Sequence, residues 1–449
     1  MPVYPGATTK PPSGTRDFFP EQLAVREHVI DRFAATFRTH GFARLDSPAL
    51  ERIEVLSGKY GDEGEGLIFK ILKRGAGEAT GEADLALRYD LTVPLARIAN
   101  EYQARLGREF RRYQIGPVWR AERPGRGRFR EFFQCDIDVV GIDDRLADAE
   151  VIVCVVEALR SVGLSGFRVS LNSRAVLTGL LEAYDVPAEL ASGTLVALDK
   201  FDKIGAEGVR GELAERGLAD RVTGALVDDL TSPDAAHVAR ERLSANETGT
   251  AGLREVDTVL RASTAALGEG VVAFDPLLAR GLAYYTGPIF EASVDDVPGS
   301  IAGGGRYDNL LGIFGNRAIP ATGGSIGLER ILLALQERDE QRYQTTPVLV
   351  TVWSDDARFE SFAIAQDIRR AGIACEIALS GGKIGKQLSR ANERGFKLAV
   401  LVGPDELAAG AAAVKDLRTG EQTRVPRAEL PKSIAALLDG PVVNSAGRS

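Results

Sequence analysis

Apolar positions recur along this chain with two different periods, and the changes of period divide it. Over residues 20–40, Leu23, Val25, Val29, Ile30, Phe33 and Phe37 fall near helical spacing and Gly41 follows as a stop. That spacing predicts an amphipathic helix. Phe42–Pro48 then reads as a short strand. Leu85–Arg97 carries a strand-like Arg-Tyr-Asp and then a helix with Pro94 in its first turn. Two apolar alternations, Tyr113–Trp119 and Phe129–Val140, flank Pro124-Gly125-Arg126-Gly127-Arg128. The pattern predicts two antiparallel strands joined by a basic, glycine-bearing loop. Asp148–Val162 reads as a helix and Phe167–Leu171 as a further strand.

From Ser173 to Ser263 the texture changes: aromatics become scarce and charged, Ala/Leu-rich helical patterns take over. This stretch reads as a separate helical insertion. Glycine-rich, strand-like sequence resumes near Val271, in Ala279–Val294, Ser300–Gly312 and Gly323–Leu335. Residues 337–346 are polar and read as a linker. From Pro347 onward, strands (Val348–Trp353, Ala374–Ile377, Leu398–Val402, Ala412–Leu417) alternate with helices (Phe359–Ala371, Lys383–Arg394), which predicts a small α/β domain. The tail after Gly440 is expected to be disordered. The plan is α+β: two antiparallel-rich blocks around a helical insertion, then an α/β module.

Composition leaves that plan intact. The 449 residues are 44% hydrophobic and 26% charged, as in packed globular proteins, and the length suits about three domains. A net charge of -8 and a pI near 5.3 argue against a protein that coats nucleic acid nonspecifically, yet leave room for an RNA held by local patches. Cys135, Cys154 and Cys375 lie far apart and the chain has three histidines, which argues against a Cys/His zinc site. The N-terminal segment lacks an apolar leader. The longest apolar run, near Val151–Leu159, is interrupted by Glu157 and is too short to span a bilayer. A reducing cytoplasm is the expected setting.

Local charge is more informative. Arg105–Arg130 holds nine arginines against two acids, Glu109 and Glu122, in an acidic chain. Such a reversal is costly unless an anion occupies it. The loop at 124–128 could be a solvated hairpin tip, but Arg120 sits beside Trp119 on a strand, better placed to meet a fixed anion bidentately. On the returning strand, period-2 alternation puts Gln134, Asp136 and Asp138 on one face. Arginines for phosphate and carboxylates for a cationic small molecule can therefore meet on one sheet. Asp90 and Thr92 read either as helix-capping residues or as acceptors for an ammonium group. Arg280 with Tyr284 and Tyr285 reads as a core-packing strand or a ligand-facing one. Gly303-Gly304-Gly305 reads as a flexible turn or a place of close backbone approach. Arg330, at the head of an apolar helix, is either solvated or presented rigidly to a phosphate. The chain holds no GxxxxGK[ST] loop and no strand-placed GxGxxG, so a nucleotide's phosphates would be held by arginines.

Taken together, Gly14–Pro20 (GTRDFFP), Leu87–Arg97 (LRYDLTVPLAR), Gly116–Gly141, Ala279–Glu291 (ARGLAYYTGPIFE), Gly303–Leu310 (GGGRYDNL) and Gly327–Leu335 (GLERILLAL) resemble the class II aminoacyl-tRNA synthetases, specifically the histidyl family. Gly395–Leu407 and Val414–Gln422 resemble that family's anticodon-binding domain. The resemblance covers nearly the whole chain and is weakest in the insertion. It implies an antiparallel class II catalytic sheet flanked by helices. The first part of this core would be residues 1–172, with the second part at 264–336 after the insertion at 173–263. A linker at 337–346, an α/β anticodon-binding domain at 347–440 and a tail at 441–449 would follow. It implies a ligase that activates L-histidine with ATP and Mg²⁺ and then charges a cognate histidine tRNA, working as a homodimer. The resemblance places Arg120 at the ATP α-phosphate, Arg330 on the γ-phosphate side, and Glu122 and Arg128 among the ATP contacts. It sets Arg280 between the histidine carboxylate and the α-phosphate. Asp90, Thr92 and Gln134 would hold the α-amino group, Asp138 and Tyr285 would clasp the two imidazole nitrogens, and Tyr284 would line the same pocket. No metal ligand is assigned to the protein.

The sequence departs from that pattern at Ala283, where many relatives have an acid, and at Asp90 and Asp138, where some carry glutamate. In the α/β domain, Lys383, Lys386, Gln387 and Arg390 are either tRNA contacts or a solvated helix face. Two other functions are compatible with the resemblance. A regulatory paralogue of histidine biosynthesis would typically lose the ATP-site arginines and the anticodon module, whereas this chain keeps Arg120, Arg280, Arg330 and the module. An uncharged-tRNA sensor would carry a kinase, and no kinase-like glycine loop or HRD segment is present.

Overall fold

The computed structural model describes residues 8–59, 64–279, 284–295, 297, 299–315, 318–336 and 346–439. Over these the chain divides into two compact units. One contains residues 8–17 and 26–336, the other residues 18–25 and 346–439.

Among its described residues the first unit carries strands β1 (Ala43–Arg44), β2 (Leu50–Arg52), β3 (Lys70–Leu72), β4 (Ala83–Leu87), β5 (Phe110–Trp119), β6 (Glu131–Val140), β7 (Phe167–Ser173), β8 (Val272–Phe274), β9 (Pro288–Val294), β10 (Ala302–Arg306) and β11 (Ala321–Gly327). Eight of them form one sheet in the order β1-β5-β6-β11-β10-β9-β7-β8. The six central strands are antiparallel, while β1 and β8 join the edges in parallel, so the sheet is mixed rather than wholly antiparallel. The strand expected at 42–48 shrinks to β1. Asp46 turns its own carboxylate onto the Ser47 N–H at 2.9 Å, and Pro48 has no N–H to offer the ladder. A small sheet, β2-β4-β3, was not expected; its strands are only three to five residues long, too short for an alternation to stand out.

β5 and β6 are the centre of the site. They pair over ten residues each, from Phe110↔Val140 to Trp119↔Glu131, and the loop between them closes on a Gly125↔Arg128 bridge. Behind the sheet run the helices Pro20–Thr39 and Leu146–Ser161. Val29, Phe33 and Phe37 of the first, and Val151, Ile152, Val155 and Leu159 of the second, are buried in one core with Cys135, Ile137 and Val139 of β6. β6 thus sends alternate residues to two faces, apolar ones to the core and Gln134, Asp136 and Asp138 to the other side. Residues 174–267 are built of six helices joined by short turns, from Arg174–Ala183 to Glu247–Leu267. The last runs four residues beyond the insertion boundary expected at Ser263 and begins on an Asn246 cap. The linker expected at 337–346 lies, but for Thr346, outside the described residues, as does the tail.

The second unit is an α/β fold. β12 (Val348–Val350), β13 (Cys375–Ile377), β14 (Leu398–Leu401), β15 (Ala411–Asp416) and β16 (Gln422–Pro426) order as β13-β12-β14-β15-β16, parallel at one end and antiparallel at the other. Helix Arg358–Arg370 offers Ile364, Ala365 and Ile368 to a core of Val348, Val350, Leu398, Val400 and Ile434. β16 was not expected, because only Val425 of its five residues is buried. All three cysteines of the chain are buried.

Candidate active site

A cavity of about 360 Å³ lies on the exposed face of the large sheet in the first unit. Its lining includes ten of the eleven expected site residues: Asp90, Thr92, Arg120, Glu122, Arg128, Gln134, Asp138, Tyr284, Tyr285 and Arg330. The eleventh, Arg280, lies with Ala283 outside the described residues.

The floor of the cavity is acidic and comes from β6. The hairpin register sets Arg112 opposite Asp138, Gln114 opposite Asp136 and Gly116 opposite Gln134. On the other side β11 sets Gly323 against Asp138 and Ser325 against Asp136. Only glycine fits at 323, since a Cβ there would run into the Asp138 carboxylate, and at Gly304 a Cβ would meet the Gly323 carbonyl. The triple glycine is therefore strand, not turn, and serves close approach.

Asp138 is held on two sides. Arg112, 1% exposed, places Nη2 at 2.7 Å from Asp138 Oδ2 and donates to the Leu91 carbonyl at 3.1 Å. The Tyr307 hydroxyl donates to Asp138 Oδ1. Burial raises the Asp138 pKa, against the pull of Arg112 and Tyr307, while burial and the neighbouring Asp138 push the Tyr307 phenol well up. Asp136 is also buried, and burial lifts its carboxyl to about 7. Arg112 and the Ser325 hydroxyl oppose that rise, while Asp138 and Asp90 add to it. Gln134 donates to Ser325 Oγ at 2.9 Å. Asp90 caps a helix: Oδ1 accepts the Val93 N–H at 3.0 Å at the head of helix Thr92–Glu101, and the residue also lines the cavity. Tyr284 and Tyr285 pack at 4.9 Å between ring centroids, and Tyr284 meets the Tyr307 ring edge-on.

The opposite end is cationic. Arg120 follows β5, its Nε donating to the Tyr89 carbonyl at 3.1 Å and its guanidinium lying over the rings of Tyr89 and Phe132. It makes no ion pair among the described residues, so its charge is oriented without being neutralised. Arg128 pairs with Glu122 across the hairpin loop, tying that loop's base. Arg330 donates to the Ser300 carbonyl in the first turn of helix Leu328–Gln336. Beside it, Glu329 is a structural anchor: it takes Arg26 at 2.8 Å and the Phe133 N–H at 3.0 Å.

Arg112, Lys203, Tyr307 and Ser325 are among the residues of this site given no role from the sequence, and Asp136 was placed only on the carboxylate face of its strand. Arg112 was legible in principle, because a hairpin folded about Gly125 sets residues 112 and 138 opposite each other. Lys203, on the helix Phe201–Glu215 of the insertion, carried no local signal. Arg306, between the glycines and Tyr307, faces away. It is fully buried and ties Asp148 at 2.7 Å and Asp308 at 3.2 Å to the carbonyls of Ile142 and Asp144.

In the second unit a separate cavity, also about 360 Å³, is lined by Phe362, Leu379, Ser380, Arg390, Arg394 and Phe396 among others. Arg390 donates to Ser380 Oγ at 2.7 Å. Gln387 is not part of a solvated helix face. It is 2% exposed and bonds the backbone of Val352 and Gly382.

Comparison with known proteins agrees with this geometry. A family model described as histidyl-tRNA synthetase matches residues 14–331, and one described as an anticodon binding domain matches residues 348–437. A histidine–tRNA ligase of Gloeobacter violaceus is 40% identical, covering 95% of this chain and 98% of its own. One of Rhodopirellula baltica is 39% identical, over 92% and 94%. The crystal structure of histidyl-tRNA synthetase from Nostoc sp. PCC 7120 superposes with a TM-score of 0.83 at 29% identity, covering 96% of this chain and 99% of that one. A Bacillus halodurans C structure described as an ATP phosphoribosyltransferase regulatory subunit/histidyl-tRNA synthetase shares the fold, with a TM-score of 0.73 at 24% identity over 86% and 97%. The chain belongs to the histidyl-tRNA synthetase family.

Proposed function

We propose that the protein is a histidine–tRNA ligase and that the cavity of the first unit is where histidine meets ATP. The observation that carries this is the polarity of one cavity, with acids Asp90, Asp136 and Asp138 on its floor and Arg120, Arg128 and Arg330 around its other end, in a chain of this family. In the first step a histidine carboxylate oxygen attacks the α-phosphorus of ATP, and pyrophosphate leaves. In the second the terminal ribose hydroxyl of the tRNA attacks the histidyl carbonyl, and AMP leaves.

Arg120, held by Tyr89 and without an ion pair among the described residues, would lie at the α-phosphate, where its charge is worth most as the pentavalent centre forms. Arg330 would face the γ-phosphate, with Arg128 and Glu122 at the hairpin-loop side of the nucleotide. Asp90, Thr92 and Gln134 would take the ammonium, and Asp138 and Tyr285 the two imidazole nitrogens, with Tyr284 packed beside them. A site built to pair both nitrogens rejects apolar amino acids, because its own buried polar groups would be left unpaired. Arg280 takes its place between the carboxylate and the α-phosphate from the family resemblance alone. Mg²⁺ enters this reading as the counter-ion carried by ATP. The 348–437 region would take the anticodon and the loop at 123–128 the acceptor end. A homodimer working in the cytoplasm completes the reading; no helix among the described residues is long and apolar enough to cross a membrane.

The test is ATP–pyrophosphate exchange with each of the twenty amino acids in the presence of Mg²⁺. Exchange with histidine alone, followed by charging of histidine tRNA, is the expected result. No exchange with any amino acid from folded protein would overturn the proposal in favour of a regulatory paralogue and make Ala283 the first position to restore.

A further inference from the structure

The cavity floor holds more carboxylates than it has cations to match. Asp136 and Asp138 stand two residues apart on one face of β6, with Asp90 across from them. Arg112 makes its ion pair with Asp138, and its charge also pulls on Asp136. Asp136, 2% exposed, makes no ion pair among the described residues, and its Oδ1 has no hydrogen-bond partner there. The groups facing it are Arg112 and Gln114 from β5, Gln134 and Asp138 from β6, Ser325 from β11, and Asp90 ahead of helix Thr92–Glu101, with Arg88 farther out. None of these but Arg112 and Arg88 is cationic. A buried carboxylate without a counter-ion neutralises itself by keeping its proton.

We propose that Asp136 is a further substrate-binding residue: the ammonium of the incoming amino acid is its missing counter-ion, and binding expels the proton that Asp136 holds in the empty site. This rests on reading the cavity as a histidine site. It explains why a residue between Gln134 and Asp138 should be an acid at all, when an apolar residue would be the cheaper occupant of a buried position. The carboxyl's rise to about 7, caused chiefly by burial, puts the exchange within the working pH range. Three acids, of which only Asp138 has an ion pair with Arg112 among the described residues, also favour a ligand that brings positive charge at its amino end, and disfavour N-acylated or deaminated analogues.

The experiment is calorimetric titration of histidine into the full chain without ATP, between pH 6 and 8.5, in two buffers of different ionisation enthalpy. The difference between buffers counts protons released. The parent should release up to about one proton per site near pH 6, falling toward none by about pH 8.5. Asp136→Asn should lose that release and bind histidine about tenfold more weakly at pH 8, with a smaller loss at pH 6. Histidine's own titration is common to both proteins and cancels. Ser325→Ala covers the case of an Asp136→Asn protein that folds poorly. It removes a hydroxyl that lowers the Asp136 pKa, so the proton release should persist to higher pH. Equal proton release and equal affinity at pH 8 in parent and Asp136→Asn, or an unshifted profile in Ser325→Ala, would overturn the role of Asp136. No binding heat from the parent itself would instead bring down the histidine reading, and the proposal with it.

Discussion

On the proposed reading Arg120 and Asp138 would serve opposite ends of one ligand, and substitutions at these two ends should separate binding from chemistry. Arg120→Ala should lower the rate of adenylate formation by about 10²–10⁴-fold while changing histidine affinity little, because its charge matters most when the phosphorus is pentavalent. Single-turnover kinetics beside a histidine titration would decide it; equal loss in both would argue for a ground-state role. Tyr307→Phe should do the reverse. It deletes the hydroxyl bound to Asp138 Oδ1, so KM for histidine should rise about tenfold with kcat nearly kept. Asp136 also bears on stability. Its carboxyl titrates near 7 in the folded chain against about 3.9 when unfolded. The unfolded chain gives up that proton first, so this residue's contribution is full below about pH 4 and is lost as pH rises through about 7. In urea unfolding without ligand, Asp136→Asn should therefore gain on the parent more at pH 8 than at pH 5. These residues were unequally legible. Gln134, Asp136 and Asp138 could be put on one face by alternation alone. The partner that makes Asp138 usable, Arg112, was hidden in a run of arginines that reads as a surface patch, because composition cannot tell a buried guanidinium from a solvated one.

The elements divide along a similar line. The long hairpin was readable because its alternation is strong and its loop chemistry is specific. The sheet's edges were not, since β1 is two residues long and is fixed by tertiary pairing with β5 rather than by its own pattern. β16 was lost for the opposite reason, being an exposed edge strand of polar residues. Where the letters were ambiguous, sterics decided. Gly303–Gly305 reads equally as turn or strand until β11 is laid beside it. The consequence can be checked at Gly323, where the neighbouring strands leave no room for a methyl group beside Asp138. Gly323→Ala should raise KM for histidine by about tenfold or more and cost on the order of 1–3 kcal/mol of stability, read from thermal or urea unfolding. A variant with parental KM would show that β6 and β11 can part without disturbing the floor.

At the scale of the whole molecule, the two units have separate hydrophobic cores, and the family assigns them separate tasks. A chain ending after residue 346 should keep histidine-dependent pyrophosphate exchange and lose about 10²-fold or more in tRNA charging at limiting tRNA. Loss of both would mean that the catalytic unit depends on the second for its fold. Charging by the full chain should also weaken steeply with salt, since a protein with a net charge of -8 must hold RNA through local arginines. The α/β module after Pro347 was legible as an alternation of strands and helices, whereas the insertion set off by its texture falls within the first unit. The lining of the first cavity by Lys203, from the helical insertion, was not legible, because nothing local in the letters points a helix of one segment at a sheet built by others. The buried cysteines give the molecule a built-in chemical clock. Cys135 lies between Gln134 and Asp136 but points to the other face of β6, into the core, and burial raises all three thiols above their usual range. A thiol reagent should therefore find almost nothing to modify in the native protein, and its reaction at Cys135 should keep time with the opening of the catalytic sheet itself. Histidine and ATP, if bound in the proposed site on the far side of that same strand, should slow the clock without touching the sulfur.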